Sequence, residues 1–145
     1  MILLGLRRYG FDALAHAIAR RYLDAVVTVF EETGILWENY APERPAPGNP
    51  AKPDFVGSTG LPPITLLFEY VFGLSPEASQ DRLTWDVRLT EAHGVKRYPL
   101  GDATLDLYCA ARASDTDEPI VTITSTRPVT VDLRWPGGSK LITVN

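Results

Sequence analysis

The hydrophobic period of this chain changes once, near Leu83, and that change restricts the fold more than any other feature of the sequence. Before it, Phe11, Ala15, Ile18, Tyr22, Ala25 and Val29 recur at alternating spacings of four and three, the signature of one helical face. Leu14, Val26 and Phe30 widen the stripe, so a helix is expected over residues 11–33, with Gly10 breaking the chain before it and Gly34 stopping it. After Leu83, residues 84–89, 103–111, 120–125, 129–135 and 140–144 alternate in strand fashion. Turn residues at 101–102, 115–119, 127–128 and 136–138 separate them. Helices followed by a small antiparallel sheet or sandwich is the expected order. The boundary falls near residues 73–81, where Ser75, Pro76 and Glu77 read as the start of a short helical turn.

Between the two patterns lies a proline-rich stretch. Residues 42–63 hold seven of the twelve prolines, with Gly48, Gly57 and Gly60, and a loop of that length is either functional or disordered. Phe55 and Val56 inside it argue that it packs against something. Pro62 and Pro63 then open a second helix. Residues 64–72 are apolar nearly all round apart from Thr65 and Glu69, which suits a helix inside a larger assembly. Glu69 is expected to be buried and hydrogen-bonded to the preceding loop. Residues 1–8 read as the end of a helix, and Met1 as an internal methionine of a longer relative. His16, in line with Asp12 and Arg20, reads as a surface residue in a charge ladder.

The composition narrows the function classes. With 145 residues, 45% hydrophobic and 22% charged, the chain suits one ordinary domain or two small units. A net charge of −4 and scattered basic residues leave no footprint for nucleic acid, and Arg20-Arg21 read as a solvated helix face. No run approaches the roughly 20 apolar residues of a membrane span, so a cytoplasmic location follows by default. The lone cysteine, Cys109, excludes an internal disulfide and alternates with Leu105 and Leu107 as a buried apolar residue would. Two histidines and one cysteine offer no zinc spacing, and the acidic residues Asp115, Asp117 and Glu118 do not form a calcium loop. No metal or cofactor is expected. Gly137-Gly138-Ser139-Lys140 lacks the spacing of a phosphate loop and reads as a hairpin turn, while Trp85 and Trp135 are expected in the β-core.

The chemistry-bearing candidate is Glu38, set between Trp37 and Tyr40 in Gly34-Ile-Leu-Trp-Glu-Asn-Tyr-Ala-Pro-Glu43. Aromatic faces stack on sugar rings, and a carboxylate between them can activate water or bind hydroxyls. The segments ILWENYAPE, KPDFVG, LPPITLLFEYVFGL and LRWPGGSK resemble the C-terminal end of the trehalase-like (α/α)6-barrel glycosidases, which include glycoside hydrolase family 63 and the mannosylglycerate-hydrolase-like enzymes. The resemblance covers nearly the whole chain and departs at Ser58, where relatives usually carry Trp. It implies an α+β fold: terminal helices and active-site loop of an (α/α)6 toroid over residues 1–74, then an antiparallel β-domain over residues 82–145.

It also implies an inverting glycoside hydrolase acting on α-linked glucosides or mannosides. Glu38 would be the general base, with Trp37, Tyr40 and Phe55 binding substrate. Such enzymes set a second carboxyl roughly 6.5–9.5 Å away as general acid. By resemblance that acid lies in sequence this chain lacks. Asp54 and Glu43 are near Glu38 in sequence, but the match puts neither in the acid role. The chain alone is therefore expected to be inactive, its partner being an N-terminal barrel polypeptide or another copy of itself. The competing expectations are a non-catalytic carbohydrate-binding or assembly module and a small oligomerising interaction protein.

Overall fold

A computed structural model describes residues 2–55 and 60–145. Met1, Val56, Gly57 and Ser58, on which parts of the foregoing reading fall, lie outside the described residues. The chain divides into two compact units, Met1–Val71 and Phe72–Asn145.

The first unit is helical. Its elements are α1 (Ile2–Arg8), α2 (Asp12–Thr33) and α3 (Leu61–Thr65), the last running straight into a π-helical turn, Leu66–Val71. Of the expected stripe, α2 buries Ala15, Val26 and Val29, with Ala19 beside them, while Phe11, Leu14, Ile18 and Phe30 are exposed. Gly34 closes this helix at φ 75°, a conformation that costs a glycine little, and its N–H donates to the Phe30 carbonyl at 2.7 Å. His16 is not simply a surface residue: its Nδ1 lies 3.0 Å from the Tyr70 carbonyl oxygen, tying α2 to the π-helical turn.

The expectation of a toroid's terminal region is overturned. A toroid is built from long helices packed in pairs, and only α2 has that length, at 22 residues. The apolar stretch expected to supply its partner starts at Pro62 and Pro63 and gives five α-helical residues, then six in the π-helical turn. Within that turn Val71 is buried and Glu69 is exposed, so Glu69 is not the buried, hydrogen-bonded carboxylate expected. Among the described residues, three α-helices and seven strands make a mainly β form of α+β.

The second unit holds β1 (Leu74–Glu77), β2 (Arg82–Asp86), β3 (His93–Leu100), β4 (Ala103–Cys109), β5 (Val121–Ser125), β6 (Val129–Trp135) and β7 (Gly138–Val144). They form a four-stranded sheet in the order β1-β2-β6-β7 and a three-stranded sheet in the order β3-β4-β5. All pairings are antiparallel except β2 with β6, which runs parallel and pairs Trp85 with Leu133. The antiparallel expectation is corrected at that one pair. Alternation puts Leu83, Trp85, Val131 and Leu133 of one sheet and Leu105, Leu107 and Cys109 of the other in the core. Leu74 and Trp85 share a crevice with Val95 and Leu107, so the two apolar faces meet.

Trp85, 1% exposed, donates its indole N–H to the Phe72 carbonyl at 3.0 Å, which gives its polar end a partner. Beside it, Gly73 sits at φ 73°, and a Cβ there would lie 2.0 Å from the Asp86 carbonyl oxygen. Only glycine lets the chain enter the sheet so close to β2. Among the described residues, no helix is long and apolar enough to cross a membrane.

Candidate functional site

The proline-rich segment after α2 is an irregular hairpin, and its prolines explain why it is not a regular one. Each proline lacks a backbone donor, so a continuous ladder cannot form. Instead two isolated bridges, Trp37 with Pro53 and Tyr40 with Pro47, pin its arms together. Four backbone bonds accompany them: Phe55 N to Leu36 O at 3.2 Å, Glu38 N to Lys52 O at 3.0 Å, Gly48 N to Asn39 O at 3.0 Å and Ala41 N to Ala46 O at 2.9 Å. Asn39 donates from Nδ2 to the Pro50 carbonyl at 3.1 Å. Gly48 packs so closely that a Cβ would fall 1.6 Å from the Asn39 Oδ1.

Glu38 is half-buried on the first arm. The Lys52 backbone N–H donates to its Oε2 at 3.2 Å, closing a reciprocal pair with the Glu38 N–H bond to Lys52 O. Among the described residues its other carboxylate oxygen has no hydrogen bond. Trp37 anchors the loop: its indole N–H donates to Thr33 Oγ1 at 3.1 Å, and that hydroxyl in turn donates to the Val29 carbonyl at 2.7 Å. The Trp37 backbone N–H donates to the Tyr40 hydroxyl at 3.3 Å. Phe55, on the second arm, has the Lys52 ammonium 6.0 Å from its ring centroid. The hairpin thus gathers all four predicted residues: Trp37 with Tyr40 directly, and Glu38 with Phe55 through Lys52. Asp54 follows the bridged Pro53 at φ 50°.

Beside this hairpin α2 and residues 40–45 enclose an open groove of about 670 Å³. Tyr22 and Tyr40 meet in it edge to face, with ring centroids 6.4 Å apart and planes at 83°. Its rim carries Arg21 and Asp24 from α2 and Glu43 and Arg44 from the hairpin. Of the four predicted residues only Tyr40 lines it; Glu38, Trp37 and Phe55 do not. The sequence reading missed this groove because it counted Tyr22 in the apolar stripe and Arg21 in a solvated face. The legible signal was a tyrosine within that stripe, since its hydroxyl needs an outlet from the core.

The second unit offers less chemistry. The β3–β4 register pairs His93 with Cys109, a proximity hidden by their separation in sequence. Burial nevertheless pushes the Cys109 thiol up, outweighing the nearby Arg112, and the residue is 0% exposed, which disfavours the reactive thiolate. Asp132 binds Arg82 Nη2 at 2.9 Å and Arg134 Nε at 3.0 Å. The Arg134 hydrogen bond holds its carboxyl below the usual carboxylate range against the opposing effect of burial, and the Arg82 hydrogen bond adds a smaller lowering. In the turn after β4, Asp117 accepts the Ser114 N–H at 2.9 Å and Glu118 pairs with Lys140 at 3.0 Å. Comparison of the chain with known protein families, characterised proteins and solved structures finds no match.

Proposed function

We propose that Glu38 is the general base of an inverting glycoside hydrolase that acts on α-linked glucosides or mannosides. The observation that carries this reading is the hold on Glu38. One oxygen takes a backbone N–H from Lys52, and the other has no hydrogen bond among the described residues. A base needs that combination: a hydrogen bond to stay oriented, and a lone pair left for water. Flanking aromatics Trp37 and Tyr40, with Phe55 on the facing arm, are the side chains a sugar ring packs on. The residues resembling the trehalase-like glycosidases, Trp37 to Pro42, are those of this arm.

The general acid is not assigned within this chain, so the reading requires a second polypeptide, or a second copy, to supply it. General acid catalysis contributes about 10²–10⁴-fold, so the chain alone hydrolyses glycosides poorly or not at all. The test is hydrolysis of a panel of α-glucosides and α-mannosides by the chain, alone and with neighbouring gene products, with Glu38→Gln alongside. Turnover that falls by about 10²-fold or more in the variant is the expected result. Turnover indifferent to Glu38→Gln rejects the assignment.

A further inference from the structure

The groove beside the hairpin has features that the Glu38 reading leaves unused. Its volume, about 670 Å³, is in the range of small-molecule sites, roughly 300–1,000 Å³. Its aromatic walls are fixed. Tyr40 is held by the Trp37 N–H at 3.3 Å and by the edge of Tyr22. The Tyr22 hydroxyl has no hydrogen-bond partner among the described residues, although the residue is half-buried. Burial first, and Tyr40 second, push its phenol up, so the hydroxyl keeps its proton and remains a donor.

The rim carries three arginines, Arg20, Arg21 and Arg44, and two carboxylates, Asp24 and Glu43. Arg21, Asp24, Glu43 and Arg44 form no ion pair and no side-chain hydrogen bond among the described residues, even though Arg21 and Asp24 stand at helical i, i+3 spacing. Arg20, also on the rim, is already engaged. With Arg20 engaged, two guanidinium groups and two carboxylates of the lining are left without an ion pair. An anionic ligand meets Asp24 and Glu43, and a cationic one meets Arg21 and Arg44. A polyhydroxylated neutral ligand uses all four, donating O–H to the carboxylates and accepting N–H from the guanidiniums. The tyrosine rings suit the C–H face of a sugar.

We propose that the groove formed by α2 and residues 40–45 is a saccharide-holding site for a neutral sugar ring, which adjoins the Glu38 site and shares Tyr40 with it. The choice of a sugar rests on the glycoside reading above; the groove, its tyrosines and the mixed charge of its rim do not. Such a site anchors one unit of a glycan while another unit lies elsewhere on the hairpin.

Chemical-shift titration of the full chain tests it, with maltose and methyl α-mannoside as neutral ligands, glucuronate as the anionic control and glucosamine as the cationic one. Neutral sugars are expected to shift amides of residues 17–28 and 40–45 and to bind more tightly than either charged sugar. Arg21→Ala and Glu43→Ala, both at exposed positions, should each weaken binding by about tenfold, the effect of one charge-assisted hydrogen bond. Absence of shifts in these segments, equal response to charged sugars, or binding indifferent to both rim variants overturns the proposal. Binding in the groove without turnover keeps the site and removes the hydrolase reading, whereas Glu38-dependent turnover without groove shifts does the reverse.

Discussion

Asp132 alternates with the buried Val131 and Leu133, so the pleat sends its side chain away from the core, yet it is only 8% exposed. Two guanidiniums, Arg82 and Arg134, hold it there. Its carboxyl titrates below the ordinary range in the folded chain. A depressed folded value stabilises the fold above the unfolded carboxylate value, about 3.9, and that contribution disappears as the pH falls through the folded value. Asp132→Asn should therefore lower stability at pH 7 by about 1–3 kcal/mol, with the exposure of Arg134 favouring the lower end. Urea unfolding at neutral pH and at pH values well below ~4 checks it: the wild-type chain should lose more stability than the variant as the pH falls. At this scale the sequence was informative about composition and mute about pairing. Cys109 reads as a buried apolar residue from its alternation with Leu105 and Leu107, and it is one. Nothing in the sequence joins Asp132 to Arg82, fifty positions away.

Among the elements, α2, β4 and β6 were legible because each has one buried face and an unbroken period. Two strands were not. β1 carries Pro76 at a sheet edge, where a missing N–H is tolerated, and its Ser-Pro-Glu sequence imitates a helix start. β3 loses its period at a bulge between Val95 and Tyr98, where Arg97 takes φ 56° and donates its N–H to Asp106 Oδ1 at 2.8 Å. The hairpin after α2 depends on Gly48 as closely as on its prolines. Gly48→Ala should displace the Asn39 side chain and break its bond to Pro50, at a cost of about 1–3 kcal/mol. Amide exchange reads the effect: faster exchange at Glu38 and Lys52, which share the same arms, with α2 unchanged. Protection unaltered at both amides would mean that the hairpin does not rely on this contact.

At the scale of the whole molecule, apolar burial is unevenly shared. Among the described residues, thirteen of the eighteen buried apolar side chains belong to Phe72–Asn145. In Met1–Val71 two of the remaining five are alanines, and Ile2, Leu4, Leu14 and Ile18 stay exposed. The β-unit therefore has a core of its own and the helical unit has a thin one. Residues 72–145 produced alone should unfold cooperatively in urea, whereas residues 1–71 alone should lose their helicity at lower denaturant. Joint loss of structure in both pieces would show that neither core suffices.

The sequence by itself determined the helix of residues 12–33, the shift to strands, the turn before β7 and the concentration of aromatic and acidic groups around Glu38. Each follows from local physics: a period that buries one face, a glycine that ends a helix, prolines that forbid a ladder. Tertiary structure alone decided that the second apolar stretch makes a short helix and a π-helical turn, that β2 lies parallel to β6, and that Tyr22 meets Tyr40 in a groove rimmed by charges of both signs. Those outcomes depend on which distant side chains compete for the same buried surface, and residues far apart in the chain leave no periodic trace of that competition.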